Sequence, residues 1–121
     1  MSAFGQISAL PLQRVWDGIA ARALHGSSIT LGVIELEPDT ALPEHHHVNE
    51  QLGVVVSGAL EMTVGDESRT LGPGGTWTIA PGVPHTGRAG PDGAIVIDVF
   101  SPAREDWRAL EELPPVAPAW P

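Results

Sequence analysis

Residues 43–58 read PEHHHVNEQLGVVVSG, which places three consecutive histidines just before a mainly apolar run. On an extended segment successive side chains point to opposite faces, so His45 and His47 share one face and His46 points away. Two imidazoles on one face of a strand can bind a single transition-metal ion. Gln51 follows after a short turn and can supply an oxygen ligand. The stretch therefore predicts part of a metal site on the inner face of a β-strand.

A second stretch supplies the remaining ligand of this site. Residues 74–85 read GGTWTIAPGVPH and end on His85, in a loop restrained by Pro81 and Pro84. Because the chain has no cysteine, a metal must be held by histidine, carboxylate or amide groups. One divalent transition-metal ion (nickel, zinc, iron, manganese or cobalt) is therefore expected, and its predicted ligands are His45, His47, Gln51 and His85. A solvated polar loop is the alternative interpretation of the histidine run, and the isolated His25 is interpreted as a turn or surface residue.

Around these two stretches the hydrophobic pattern is that of β-structure. Apolar residues recur with a period of two, and the 14 glycines and 12 prolines favour a turn-rich β protein. Gly58 and residues 90–93 are predicted to interrupt strands. Many short strands at this spacing predict an all-β barrel or sandwich. The predicted strands are 14–16, 19–24, 29–36, 41–47, 51–57, 60–64, 69–71, 77–80 and 94–100.

One helix is predicted after the last strand. Ser101 can cap it and Pro102 occupies the favoured first position. The sequence thus predicts one domain over residues 1–121, with a barrel core at about 14–101, a C-terminal helix at about 102–113 and an extended tail at 114–121.

Charge and hydropathy limit the classes of partner. The formal net charge is −9, with six basic residues that are all arginine. No basic stripe is available to neutralise phosphates, which argues against nucleic acid and anionic membranes as partners. The first residues do not resemble a targeting signal, and no apolar run is long enough to span a membrane. A cytoplasmic location is therefore expected.

The two stretches resemble the two motifs of the cupin superfamily. The first motif has an HxH pair, a further ligand a few residues later, and a glycine seven residues after that ligand, which is Gly58 here. The second motif is a Gly/Pro-rich segment that ends in histidine. The resemblance covers about residues 24–104 and implies a jelly-roll barrel. Gln51 stands where the general pattern has glutamate, and Glu50, one place earlier, should face the other way. An all-neutral ligand set would leave the ion its full charge, which strengthens it as a Lewis acid.

Within the cupins, the first stretch is similar to small proteins of pectin and alginate breakdown that open the ring of unsaturated uronates. Those proteins carry an aspartate, a phenylalanine two residues later and an arginine six residues later, and Asp98, Phe100 and Arg104 match that spacing. The resemblance implies a metal-dependent, non-redox enzyme acting on a small carboxylated sugar such as a 4,5-unsaturated uronate. In it Asp98 would move a proton, Arg104 would hold the carboxylate of this small-molecule ligand, and Phe100 would shape the pocket.

Other interpretations of the same residues stay open at this point. Asp98 can instead form a plain ion pair with Arg22 or Arg104, because an acidic residue in an apolar strand needs a partner or a function. An Fe(II)-dependent dioxygenase would use the same histidines. A non-catalytic cupin that binds or senses a small molecule is the third hypothesis.

Assembly into a homodimer is also predicted. The strands near the N-terminus and residues 94–100 are apolar on both faces, and a small barrel cannot bury both faces by itself. Trp16 and Trp120 are the candidate side chains for the buried surface.

Overall fold

Antiparallel strands make up most of this computed structural model, which describes residues 2–121. They form one eight-stranded sheet in the order β1-β2-β3-β8-β5-β6, with β4 paired to β8 and β7 paired to β5. The predicted all-β fold is therefore confirmed. The strands are β1 (Leu12–Trp16), β2 (Ile19–His25), β3 (Thr30–Leu36), β4 (Ala41–His45), β5 (Glu50–Val64), β6 (Glu67–Leu71), β7 (Thr76–Ile79) and β8 (His85–Ser101).

The two longest strands, β5 and β8, bend and pair along both of their halves. The predicted interruptions at Gly58 and at residues 90–93 are wrong, because both segments lie within continuous strands. Gly58 and Gly93 have φ angles of 77° and 76°, a region that side chains disfavour. A Cβ atom on Gly58 would collide with the Gly93 carbonyl. The glycines therefore let two strands bend against each other instead of ending them.

The register of β3, β8 and β5 stacks inward-facing residues in layers. Asp98 lies between Gly32 of β3 and Gly53 of β5. One layer further into the barrel, Val96 lies between Ile34 and Val55, which belong to the hydrophobic core. Asp98 thus lies next to glycines on both sides and directly above an apolar layer.

The predicted helix at 102–113 is wrong, since this segment contains only a five-residue 3₁₀ turn, Glu105–Ala109. Ser101 still belongs to β8, and its hydroxyl donates to the Ser28 carbonyl instead of capping a helix. Trp107 is buried in the core, and the Leu113 N–H donates to the Leu12 carbonyl at 2.7 Å. A short helix is marginal by itself, so these contacts with the barrel determine the path of the chain.

The extended tail after Leu113 lies against the outer face of the sheet. Arg22 is only 2% exposed there. It donates one hydrogen bond to Glu35 at 3.0 Å and another to the Val116 carbonyl at 2.6 Å. The Ala119 N–H also donates to Glu35. The Arg22–Glu35 ion pair therefore attaches the tail to the sheet.

Nowhere within residues 2–121 does the structure contain a helix long and apolar enough to cross a membrane. The cytoplasmic location and the single-domain organisation stay predictions.

Candidate metal centre

Three of the predicted ligands converge at one end of the barrel. His45 ends β4, His47 follows that strand, and His85 begins β8. Their candidate ligand atoms all lie within 4.8 Å of one another. β4 pairs with β8 so that His45 and His85 are direct partners, with ring centroids 4.1 Å apart. Antiparallel pairing of distant segments thus assembles a cluster that is able to hold one ion.

Hydrogen bonds fix the protonation of each ring. In all three residues Nδ1 faces a backbone carbonyl, which only accepts, so Nδ1 must carry the proton. Nε2 is then left with its lone pair, the form of histidine that binds metals. His85 Nε2 is buried without a hydrogen-bond partner among the described residues. The carbonyl partners are Pro43 for His45 at 2.7 Å, Asn49 for His47 at 3.0 Å and Val83 for His85 at 2.9 Å.

Gln51 has its carbonyl oxygen turned toward the same cluster. Its amide nitrogen donates to Asp98 Oδ1 at 3.0 Å, which leaves Oε1 3.0 Å from Nε2 of His47. Because the His47 proton is on Nδ1, this contact brings two lone pairs together. Two such atoms are stable side by side when they share a cation. The donor set of the structure therefore fits a divalent ion held by the three histidines and Gln51.

The environment keeps the three histidines neutral. Burial lowers the pKa of His45 to about 4, and the neighbouring His85, His47 and Arg104 act in the same direction. Burial also lowers the pKa of His47 and of His85, with Arg104 again contributing. Neutral imidazoles accept a metal without first losing a proton.

Asp98 is buried beside this cluster and forms no ion pair with either arginine considered above. Its Oδ1 accepts hydrogen bonds from Gln51 and, at 2.8 Å, from the Trp77 indole N–H. Burial raises the pKa of Asp98 to about 6, while these two hydrogen bonds and Arg104 oppose the shift. Both donors use Oδ1, so the second carboxylate oxygen is available in the cavity that Asp98 lines.

Arg104 lies at the edge of the same cavity and is held in place from several sides. Its guanidinium carbon is 4.8 Å from the ring centroids of both Phe100 and Trp107. Nε and Nη2 donate to the two oxygens of Asp106 at 3.0 and 2.9 Å. This leaves Nη1 for a ligand. Phe100 also contacts the His47 ring, with centroids 5.8 Å apart, so it lies between the arginine and the metal ligands.

The remaining histidines are placed differently. His46 is exposed at the mouth of the cavity. His25 is half-buried near the end of β2, where Nδ1 lies 2.8 Å from the Thr30 hydroxyl. It is therefore a strand residue rather than a turn residue, and it is not among the three histidines that converge.

The sequence model of the cupin domain family matches residues 32–100, which are more than half of the chain. The chain belongs to the cupin family. Within residues 32–100 lie all four predicted metal ligands, Asp98 and Phe100, whereas Arg104 lies just outside.

Individual proteins similar to this cupin include two with named functions. The pectin degradation protein KdgF of Dickeya dadantii (strain 3937) is 26% identical over 99 residues, which cover 80% of this chain and 90% of that protein. The H2HPP isomerase of Bacillus subtilis is 42% identical over 64 residues, and these span 51% of this chain but only 27% of the isomerase.

Solved structures show the same barrel. KdgF from Halomonas sp. superposes with a TM-score of 0.80 at 28% identity, covering 88% of this cupin and 98% of that chain. An RmlC-like cupin from Shewanella frigidimarina also gives 0.80 at 26% identity, with 88% and 96% covered. The resemblance inferred from the two motifs is confirmed at the level of the family.

Trp77 was not identified from the sequence as a residue of the site, and Trp16 was assigned a different role. Trp77 reaches Asp98 across Gly53, its register partner in β5, and a Cβ atom on Gly53 would collide with both side chains. Trp16 lies against His45 with centroids 4.6 Å apart, so this candidate dimer residue packs at the cavity. The N–H of a buried tryptophan needs an acceptor. This requirement could have indicated from the sequence that Trp77 contacts a polar residue.

Proposed function

We propose that this cupin is a metal-dependent, non-redox enzyme that moves a proton on a small carboxylated ring compound such as a 4,5-unsaturated uronate. The observation that carries the proposal is the convergence of three Nε2 atoms and the Gln51 carbonyl beside Asp98, a buried carboxylate without a cationic partner. Lyase or isomerase chemistry of this type breaks and forms C–O and C–H bonds with no net change of oxidation state. It therefore needs no oxidant.

Each residue has a role that follows from its contacts. The three histidines and Gln51 would hold the divalent ion, which when bound polarises a carboxylate, carbonyl or hydroxyl oxygen. Asp98 transfers the proton through the oxygen that faces the cavity. Arg104 donates from Nη1 to the substrate carboxylate, while Phe100 forms the wall between these groups.

The relatives support this choice of chemistry. One is a pectin degradation protein and another an isomerase, which favours sugar acids as candidate substrates and argues for rearrangement over oxidation. The overall charge of −9 repels anions at long range. Capture of a carboxylate must therefore depend on the local field of the ion and Arg104.

The test begins with the metal content of protein purified without added metal. The metal-loaded protein is then incubated with a 4,5-unsaturated uronate, and the ultraviolet absorbance of the conjugated double bond is followed. Loss of absorbance without oxygen uptake is the expected result. Oxygen uptake by iron-loaded protein would favour a dioxygenase instead. Binding without turnover of uronates, other sugar acids or catechols would favour a sensor.

We also propose that the protein forms a homodimer through the outer face of the sheet. Leu31, Val99 and Leu52 are neighbours in one row of that face, and Ile97 and Val54 are neighbours in the next row, beside Val33, which is only 2% exposed in the single chain. Leu52 is 48% exposed in the single chain. Apolar rows of this kind are typical of surfaces that pack against a second subunit. A sedimentation mass near 12.7 kDa, the mass of one chain, at micromolar concentration would contradict the dimer.

A further inference from the structure

The cavity has a wall that is polar on one part and apolar on the rest. Its volume is about 320 Å³, at the lower end of the range for small-molecule sites. The polar part of the lining consists mainly of the metal ligands, Asp98 and Arg104. The aliphatic part includes residues of β3, β5 and β8 that are each at most 7% exposed: Ile34, Leu36, Leu60, Met62 and Val96.

Few polar atoms of the cavity are free to contact a ligand. The Trp77 N–H and one N–H of the Gln51 amide donate to Asp98. Nε and one N–H of Nη2 of Arg104 donate to the two oxygens of Asp106. Apart from the metal ligands, the polar part therefore offers mainly the second oxygen of Asp98 and Nη1 of Arg104.

This distribution is poorly suited to a ring that carries a hydroxyl on most of its carbons. A hydroxyl buried against Leu36, Leu60 or Val96 would lose its hydrogen bonds to water and gain none. Each such hydroxyl weakens binding by about tenfold. Aromatic rings flank the opening, since Trp16 packs on His45 and Trp107 packs on Phe100 with centroids 5.0 Å apart. Flat, apolar groups gain contact area there.

We infer that the substrate is a carboxylate with an apolar, sparsely hydroxylated body, because the polar groups of the cavity are confined to the part with the metal ligands and Arg104 while apolar side chains line the rest. The inference rests on the proposed function and keeps its metal site, Asp98 and Arg104. It replaces the 4,5-unsaturated uronate, which carries a hydroxyl on most of its ring carbons, with a less hydroxylated ring acid. The carboxylate lies between Arg104 and the metal ligands, and the body extends along Leu36, Leu60 and Val96. Among ring carboxylates, those with few hydroxyls are the ones selected.

A matched pair of ligands tests the inference by binding rather than by turnover. Cyclohexanecarboxylate and D-galacturonate each have a six-membered ring and one carboxylate, and galacturonate adds hydroxyls and a ring oxygen. Titration calorimetry on protein of measured metal content gives the two Kd values. We expect cyclohexanecarboxylate to bind at least about tenfold more tightly.

Two valine-to-threonine variants serve as test and control. Val96→Thr adds a hydroxyl to the cavity wall with little change in shape, and it should reduce the preference for cyclohexanecarboxylate several-fold. Val116→Thr makes the same change on the exposed tail, away from the cavity, and should leave the preference unchanged.

The outcomes separate the two proposals. Equal or tighter binding of galacturonate would overturn the apolar-substrate inference and leave the proposed enzyme intact. Failure of both acids to bind metal-loaded protein would remove the carboxylate site on which both proposals depend.

Discussion

The two faces of the central sheet each bury a charged side chain, and they satisfy it in different ways. On the outer face Arg22 has an acidic partner, Glu35, and a backbone carbonyl from the tail. On the inner face Asp98 has only neutral donors, Gln51 and Trp77, and it borders a cavity. A buried charge paired with its opposite has its desolvation cost offset, whereas a buried charge without a counter-ion costs more free energy and is a candidate functional position.

The neighbours of the two residues explain how each is accommodated. Asp98 is flanked by Gly32 and Gly53, and Cβ atoms there would press into the indole rings of Trp107 and Trp77. The glycines therefore make room for two tryptophans around one carboxylate. Arg22 has no such space and is instead covered by the chain itself, where the tail crosses it near Val116.

The largest effect is expected from Asp98→Asn. Asparagine keeps the shape and an oxygen that accepts from Gln51 and Trp77, but it cannot transfer the proton. Turnover should fall by roughly a hundredfold to ten-thousandfold, with metal content near that of the wild type. Steady-state rates per folded molecule provide the measurement. A strongly lowered Tm with an unchanged rate would instead make Asp98 a structural residue like Arg22.

Next in size is the contrast between neighbouring histidines on opposite faces. His47→Ala removes an inward ligand and should weaken metal affinity by about a hundredfold, because the binding energy is shared among a few ligands. His46→Ala changes an exposed residue and serves as the matched control. Metal analysis after dialysis against a weak chelator distinguishes them. Loss of metal from the His46 variant alone would show that the assignment of faces is incorrect.

A smaller effect separates the positioning role of Asp98 from proton transfer. Asp98→Ala removes the acceptor that orients the Gln51 amide, so its carbonyl no longer points steadily at the histidines. Metal affinity should drop by roughly tenfold to a hundredfold, the range for partners that orient metal ligands. Asp98→Asn should retain the affinity. Equal metal affinities for the two variants, measured by competition with a chromogenic chelator, would show that Gln51 needs no such partner.

The smallest effect is expected on the outer face. Arg22→Met removes the charged donor of Glu35 and leaves the Val116 carbonyl without the Arg22 hydrogen bond, so the free energy of unfolding should decrease by about 1–3 kcal/mol. Metal stoichiometry should not change. Arg69→Met, in the exposed pair with Glu67, is the control and should cost at most about 1 kcal/mol. Urea unfolding gives both values. A loss of metal from the Arg22 variant would mean that the two faces are coupled.

The sequence by itself determined the properties that depend on neighbouring residues. Strand alternation predicted that His45 and His47 share a face and that Gln51 can join them, and the two motifs indicated the family, which the match over residues 32–100 confirms. His45 and His47 do converge in the structure, although β4 ends at His45 and His47 lies just beyond it. The use of these residues as metal ligands stays a prediction.

Only the tertiary structure decided which distant residues meet. The register that places Gly53 beside both Trp77 and Asp98 joins segments far apart in the chain, and alternation within one strand says nothing about it. The same holds for residues 102–113, where a helix-compatible sequence forms only the 3₁₀ turn Glu105–Ala109, because contacts of Trp107 and Leu113 with the barrel outweigh the marginal stability of a short helix. Local sequence sets the direction of a side chain, and packing between strands sets its partner.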